Sequence, residues 1–132
     1  DGGVRATSNG PLQAAQVQAV PYPGFATDLH PQMAAAMTQA HGISLVHERV
    51  YDNRTLYVNE LRKLGATVHE HDDGLEIVPG DLRAAAIATY DAHRMAMSFA
   101  LAALRIPGIA INDPKCVSKT FPDFFTRFDA LR

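Results

Sequence analysis

The sequence predicts an α/β chain built from two tandem βαβαββ-type units, the second lacking its final hairpin. Three observations lead there. Runs of strand length alternate with stretches of helical period, Gly and Pro fall at the joints, and one order of elements is written twice. No residue-level repeat accompanies that order. At 132 residues, 47% of them hydrophobic and 20% charged, the chain is one domain or part of one, with enough apolar material for a core.

Gln16-Val17-Gln18-Ala19-Val20 alternates polar and apolar as a half-buried strand does, and Pro21 and Pro23 stop it. Thr27 or Asp28 is expected to cap a helix whose apolar stripe is Leu29, Met33, Ala36, Met37 and Ala40, with Pro31 in its first turn and Gly42 just past its end. Ile43 to Val50 reads as a strand. Tyr57, Leu61 and Leu64 mark a second helix ended by Gly65, and Thr67 to His71 and Leu75 to Val78 form a hairpin about Asp72-Asp73-Gly74. Pro79-Gly80-Asp81 is the joint between units, giving a first unit over 1–80 and a truncated second one over 81–132 of a single incomplete domain. In the second unit an extended run, Ala84 to Tyr90, precedes a helix from Ala92 to Leu104. Met95, Met97, Phe99, Leu101 and Leu104 make that helix apolar on almost every side, so it is expected to be mostly buried. A strand over Ile106 to Ile111 and a last helix from about Pro122 to Leu131 complete the chain.

Charge excludes some partners. Twelve basic against fourteen acidic residues leave −2, which offers no field for nucleic acid or an anionic membrane, and no apolar run nears the roughly 18 residues of a membrane span. Cys116, the single cysteine, suits a reducing cytoplasm. A start at Asp1 without Met is what a processed or excised piece would show.

Polar chemistry gathers in four segments, each expected where a strand hands over to a helix: Pro23 to Asp28, Asp52-Asn53-Arg54, Asp91-Ala92-His93-Arg94-Met95, and Lys115 to Pro122. Helix N-termini carry unpaired N–H groups and a positive dipole end, so cationic side chains added there suit phosphate or carboxylate. Singly, an Arg in a first helical turn is most simply a solvated residue. Together the four segments are expected to face one cavity, and the cation pair His93-Arg94 at the mouth of an apolar helix calls for an anion.

These segments resemble the enolpyruvyl transferases, which move the carboxyvinyl group of phosphoenolpyruvate onto a substrate hydroxyl. Pro21 to Leu29 and Val50-Tyr51-Asp52-Asn53-Arg54 are similar to the branch acting on UDP-N-acetylglucosamine, whose usual forms read Y-P-G-F-P-T-D and F-E-N-R. Ala88 to Met97 and Asp113 to Pro122 are similar to the branch acting on shikimate 3-phosphate. The resemblance covers nearly the whole chain and implies a C-terminal fragment, part of one globular half of an inside-out α/β barrel in which three such units surround a pseudo-threefold axis. By the same resemblance Asp28 takes the proton from the attacking hydroxyl, and Arg54 and Arg94 hold the carboxylate and phosphate of phosphoenolpyruvate. Lys119, in the K-T-F-P motif, binds phosphate and helps move a proton, and His93 lies beside the reacting groups.

Departures from the pattern weigh against these matches. Where the shikimate branch has Glu as proton donor the stretch here is Tyr51-Asp52-Asn53-Arg54, leaving Asp52 as the replacement, and D-D-H-R has become Asp91-Ala92-His93-Arg94. The favoured acceptor is shikimate 3-phosphate, because His93-Arg94 and Lys119-Thr120-Phe121-Pro122 supply the anion-binding chemistry. UDP-N-acetylglucosamine and a catalytically silent phosphate-binding module are the alternatives. The enzyme's other half, in cis or in trans, is an expected partner, and the isolated chain is expected to be inactive. No cofactor is called for. His69 and His71 have the spacing of a two-ligand metal site but sit among Glu70, Asp72 and Asp73 and are read as solvated, so no metal is assigned. Asn53-Arg54-Thr55 is read as a chance glycosylation triplet and Cys116 as structural.

Overall fold

The computed structural model describes residues 2–50 and 56–131. Its first strand, β1 (Gln16–Ala19), leads through a 3-10 turn at Thr27–Leu29 into helix α1 (His30–Met37) and then to β2 (Ser44–Glu48). β1 and β2 pair in parallel, Val17 opposite Val46, so β1, α1 and β2 form a βαβ crossover. Helix α2 (Leu56–Lys63) is followed by β3 (Thr67–His71) and β4 (Gly74–Val78). β4 inserts antiparallel between β2 and β3, giving a four-stranded sheet in the order β1-β2-β4-β3. The chain then runs through β5 (Ala86–Ile87), α3 (His93–Ala102) and β6 (Ala110–Ile111), with β5 and β6 a short parallel pair. A second 3-10 turn, Pro114–Lys119, precedes α4 (Phe124–Asp129). The architecture is the mixed α/β arrangement expected.

Several expectations change in detail. The cap positions ahead of the first 3-10 turn and of α1 are Ala26 and Leu29, and neither makes a side-chain cap bond. Thr27 instead donates to Glu48 Oε2 at 2.5 Å, and Asp28 accepts from Arg94. Both side chains are thus committed to distant elements. The hairpin turn is Asp72-Asp73 alone, with Gly74 paired to His71 inside the ladder. Gly74 is needed for another reason: a Cβ there would lie 2.6 Å from the Val46 carbonyl and 2.7 Å from His47 Cα, so β2 could not approach. The two predicted strands of the second unit shrink to two residues each, because among the described residues they pair only with one another. Helix α3 ends at Ala102 and buries Met95, Ala96, Phe99 and Ala102, yet Leu101 on it and Leu104 just past its end are about half exposed, since its contacts with α1 and with the Pro114–Lys119 turn leave that side open.

One core runs through these elements. Val46, Leu75 and Ile77 from the sheet meet Met37 of α1, Tyr57, Val58 and Leu61 of α2, Ile87 of β5 and Met95 and Phe99 of α3. A smaller cluster, Ala96 with Cys116 and Val117, fixes the Pro114–Lys119 turn against α3. Cys116 is a buried free thiol, in keeping with its structural reading. At the joint, Gly65 has φ +93°, and a Cβ there would meet the Asp81 carbonyl at 2.7 Å. The joint is therefore packed on the end of α2, where Arg83 N–H donates to the Leu64 carbonyl at 2.7 Å. No described helix is long and apolar enough to cross a membrane.

Candidate active site

A cavity of about 460 Å³ opens where the N-terminal ends of α1, α2 and α3 meet the Pro114–Lys119 turn, within the usual range for a small-molecule site. Asp28, His93, Arg94 and Lys119 all line it, brought together from three of the four segments singled out in the sequence. Asp52 and Arg54 lie outside the described residues. Leu56 and Tyr57, which follow them, line the same cavity.

The local chain explains each placement. Asp28 sits in the 3-10 turn ahead of α1, so its carboxylate projects beyond the helix instead of capping it. Arg94 lies in the first turn of α3 and donates from Nη2 to Asp28 Oδ2 at 2.8 Å. Lys119 ends the turn that Cys116 and Val117 anchor, and its Nζ donates to the Asp91 carbonyl at 2.9 Å and to Asp91 Oδ2 at 2.5 Å. Both pairs are partly open to solvent, where an ion pair contributes little to stability. An incoming anion can therefore compete for the cations.

His93 precedes Arg94. Partial burial first, and then the nearby charges of Arg94 and Lys119, hold its imidazole below its ordinary value of 6.5, so it is neutral near pH 7. The cavity also has a buried polar margin absent from the sequence-based set. His30 and Tyr57 are joined through Nδ1 and the phenol oxygen, and burial together with Glu48 and Glu70 pushes the Tyr57 phenol far up, keeping it protonated. Behind them Glu60 is fully buried on α2. Its signal was present in the sequence: Tyr57, Glu60, Leu61 and Leu64 share one helical stripe, and a carboxylate among three apolar residues demands partners.

The segment that delivers His93 and Arg94 is also unusual. Tyr90 and Asp91 have φ 51° and 57°, and Ala92 N–H donates to the Thr89 carbonyl at 2.8 Å to close a turn with two left-handed central residues. Such turns ordinarily take Asn-Gly or Asp-Gly, and a left-handed non-glycine residue costs about 1–3 kcal/mol. No described cluster of three or more His, Cys, Asp or Glu could hold a metal ion.

The fold is that of the enolpyruvyl transferases. The chain superposes over 94% of its length on 29% of the crystal structure of the enolpyruvyl transferase NikO from Streptomyces tendae, with a TM-score of 0.78 at 23% identity. It superposes over 76% of its length on 25% of the EPSP synthase from Acinetobacter baumannii, with a TM-score of 0.68 at 23% identity. The family model for EPSP synthase (3-phosphoshikimate 1-carboxyvinyltransferase) matches residues 3–128, and the chain belongs to that family. A 3-phosphoshikimate 1-carboxyvinyltransferase of Nostoc punctiforme is 58% identical over 71 residues, 54% of this chain and 17% of that protein. One from Vibrio cholerae is 54% identical over 81 residues, 61% of this chain and 19% of that protein. The chain thus aligns with 17–19% of the length of these curated relatives.

Proposed function

We propose that the chain forms one wall of an active site in which the carboxyvinyl group of phosphoenolpyruvate passes to a hydroxyl of shikimate 3-phosphate, with release of phosphate. The observation that carries this reading is the convergence of Asp28, His93, Arg94 and Lys119 on one cavity. Phosphoenolpyruvate carries three negative charges within a few ångströms, and fixed cations at a helix N-terminus suit it. Arg94 and Lys119, with Arg54, hold its carboxylate and phosphate. As the anion draws the Arg94 guanidinium toward itself, Asp28 Oδ2 can exchange the Arg94 hydrogen bond for one from the substrate hydroxyl. Asp28 then takes the proton of the attacking hydroxyl. The hydroxyl oxygen bonds to the carbon bearing the phosphate ester while the methylene carbon gains a proton. Return of that proton to the protein restores the double bond and expels phosphate. Lys119, neutral His93 and Asp52 are the groups assigned to those proton movements.

The shikimate 3-phosphate assignment is supported by the names of the relatives and by the match of His93-Arg94 and Lys119-Thr120-Phe121-Pro122 to that branch. In this reading residues 1–80 and 81–132 are two units of an incomplete domain, completed by further chain in cis or in trans, and the setting is cytoplasmic. Steady-state phosphate release by the complete polypeptide, assayed with each acceptor, is the test. Turnover with shikimate 3-phosphate and at least a roughly 10²-fold loss of kcat in Asp28→Asn, with phosphoenolpyruvate binding kept, is expected for removal of a general base. Turnover with UDP-N-acetylglucosamine alone would overturn the acceptor. Phosphate binding without turnover would make the chain a silent module, and an unimpaired Asp28→Asn would remove the base.

A further inference from the structure

We propose that Glu60 is a positioning residue of the anion site, holding the strained Thr89–Ala92 turn so that Asp91, His93 and Arg94 meet the cavity in register. The inference rests on the reading of that cavity as a phosphate site. Glu60 is 0% exposed, yet every polar contact it makes points to that turn or to its own helix. Its Oε2 accepts the Ala88 N–H at 3.0 Å, immediately before the turn, and its Oε1 accepts the Tyr90 hydroxyl at 3.0 Å, within it. Lys63, one turn along α2, donates Nζ to both oxygens at 2.8 Å and supplies the compensating charge. A carboxylate buried on an apolar stripe is costly unless so satisfied.

The clamp has an opposite jaw. Asp91, the second left-handed residue, accepts Lys119 Nζ through its carbonyl and its carboxylate. The turn is therefore held by Glu60 through Tyr90 on one side and by Lys119 through Asp91 on the other, and α3 begins directly after it with His93 and Arg94. Tyr90 is a poor residue for positive φ, so the conformation depends on outside contacts. Tyr90 remains about half exposed, so its aromatic ring is not seated in the core and its hydroxyl contact is the anchor visible here. Loss of that anchor would let the mouth of α3 shift while the core behind it stays packed.

The test measures inorganic phosphate affinity by titration calorimetry in the chain and in Glu60→Gln, Tyr90→Phe and Tyr90→Gly, with denaturant midpoints for each. Glu60→Gln and Tyr90→Phe should weaken phosphate at least about tenfold, and their double substitution should weaken it no further than the worse single one. Tyr90→Gly removes the backbone penalty together with the anchor, so its midpoint should hold or rise while its phosphate affinity falls. A purely structural Glu60 predicts the reverse: midpoints fall and the affinity of the folded variants is unchanged, which would overturn the proposal. Should Glu60→Gln fail to fold, Tyr90→Phe and Tyr90→Gly decide it alone. Absence of phosphate binding in the parent chain would count against the phosphate-site reading itself, whereas binding that ignores all three variants counts against the clamp.

Discussion

Arg94 and Lys119 each rest on a carboxylate from a different element, Asp28 for one and Asp91 for the other, and His93 feels the charge of both cations. A lowered His93 pKa has a definite consequence for stability. Between that lowered value and about 6.5 the unfolded chain binds a proton that the folded chain does not, so stability rises with pH through this window and is penalised as pH falls through 6.5. His93→Gln should flatten the slope there, as followed by denaturant unfolding across pH. NMR titration should also show His93 below 6.5 in phosphate-free buffer and moving upward when phosphate is added, because an anion offsets Arg94 and Lys119. A His93 that titrates at or above 6.5 without phosphate would contradict the electrostatics. Asp28, His93, Arg94 and Lys119 were legible in the sequence because each sits in a contiguous motif at an element end. Glu60 and the sign of φ at Tyr90 were not, since they depend on contacts about 30 residues apart in sequence. Only the misplaced charge on the α2 stripe hinted at them.

Periodicity identified α2 and β4, which each bury one face against the core, whereas α1 is covered on all sides: it buries Ala34, Ala35 and Met37, and Leu29 of its predicted stripe is about half exposed. What periodicity could not supply was pairing. Insertion of β4 beside β2 is set by packing, and it gives Gly74 its role, which the sequence alone attributed to the turn. Gly74→Ala should therefore destabilise by roughly 1–3 kcal/mol through steric conflict with β2, although alanine is an ordinary strand residue. Phe99→Ala, which empties a fully buried site between α1 and α3, should cost about 3–5 kcal/mol. Both are read as shifts in the denaturant midpoint, and an unchanged midpoint in Gly74→Ala would mean that β2 and β4 are not so closely apposed. The Pro114–Lys119 turn escaped a sequence reading that looked for helices of regular period. It is too short to show one, and only the burial of Cys116 and Val117 reveals what it anchors.

For the whole molecule, the accessible surface of 8247 Å² exceeds the roughly 6,800 Å² of a compact monomer of this mass. Part of the excess is the extended N-terminal stretch, and part is apolar, including Leu101 of α3 and Leu104 just past its end. This supports the proposal that the chain works as part of a larger enzyme, so the 132 residues alone should release no phosphate from phosphoenolpyruvate with either acceptor, and supplying the remaining chain should restore turnover. Release by the pure chain would refute that. The central claim, that separate elements of this chain build one anion site, is tested most directly by the melting temperature with and without inorganic phosphate. At a hundred times its dissociation constant phosphate should stabilise the fold by about 2.7 kcal/mol, and Arg94→Ala should lose most of that gain. A melting temperature indifferent to phosphate, or a gain that survives in Arg94→Ala, would contradict the account.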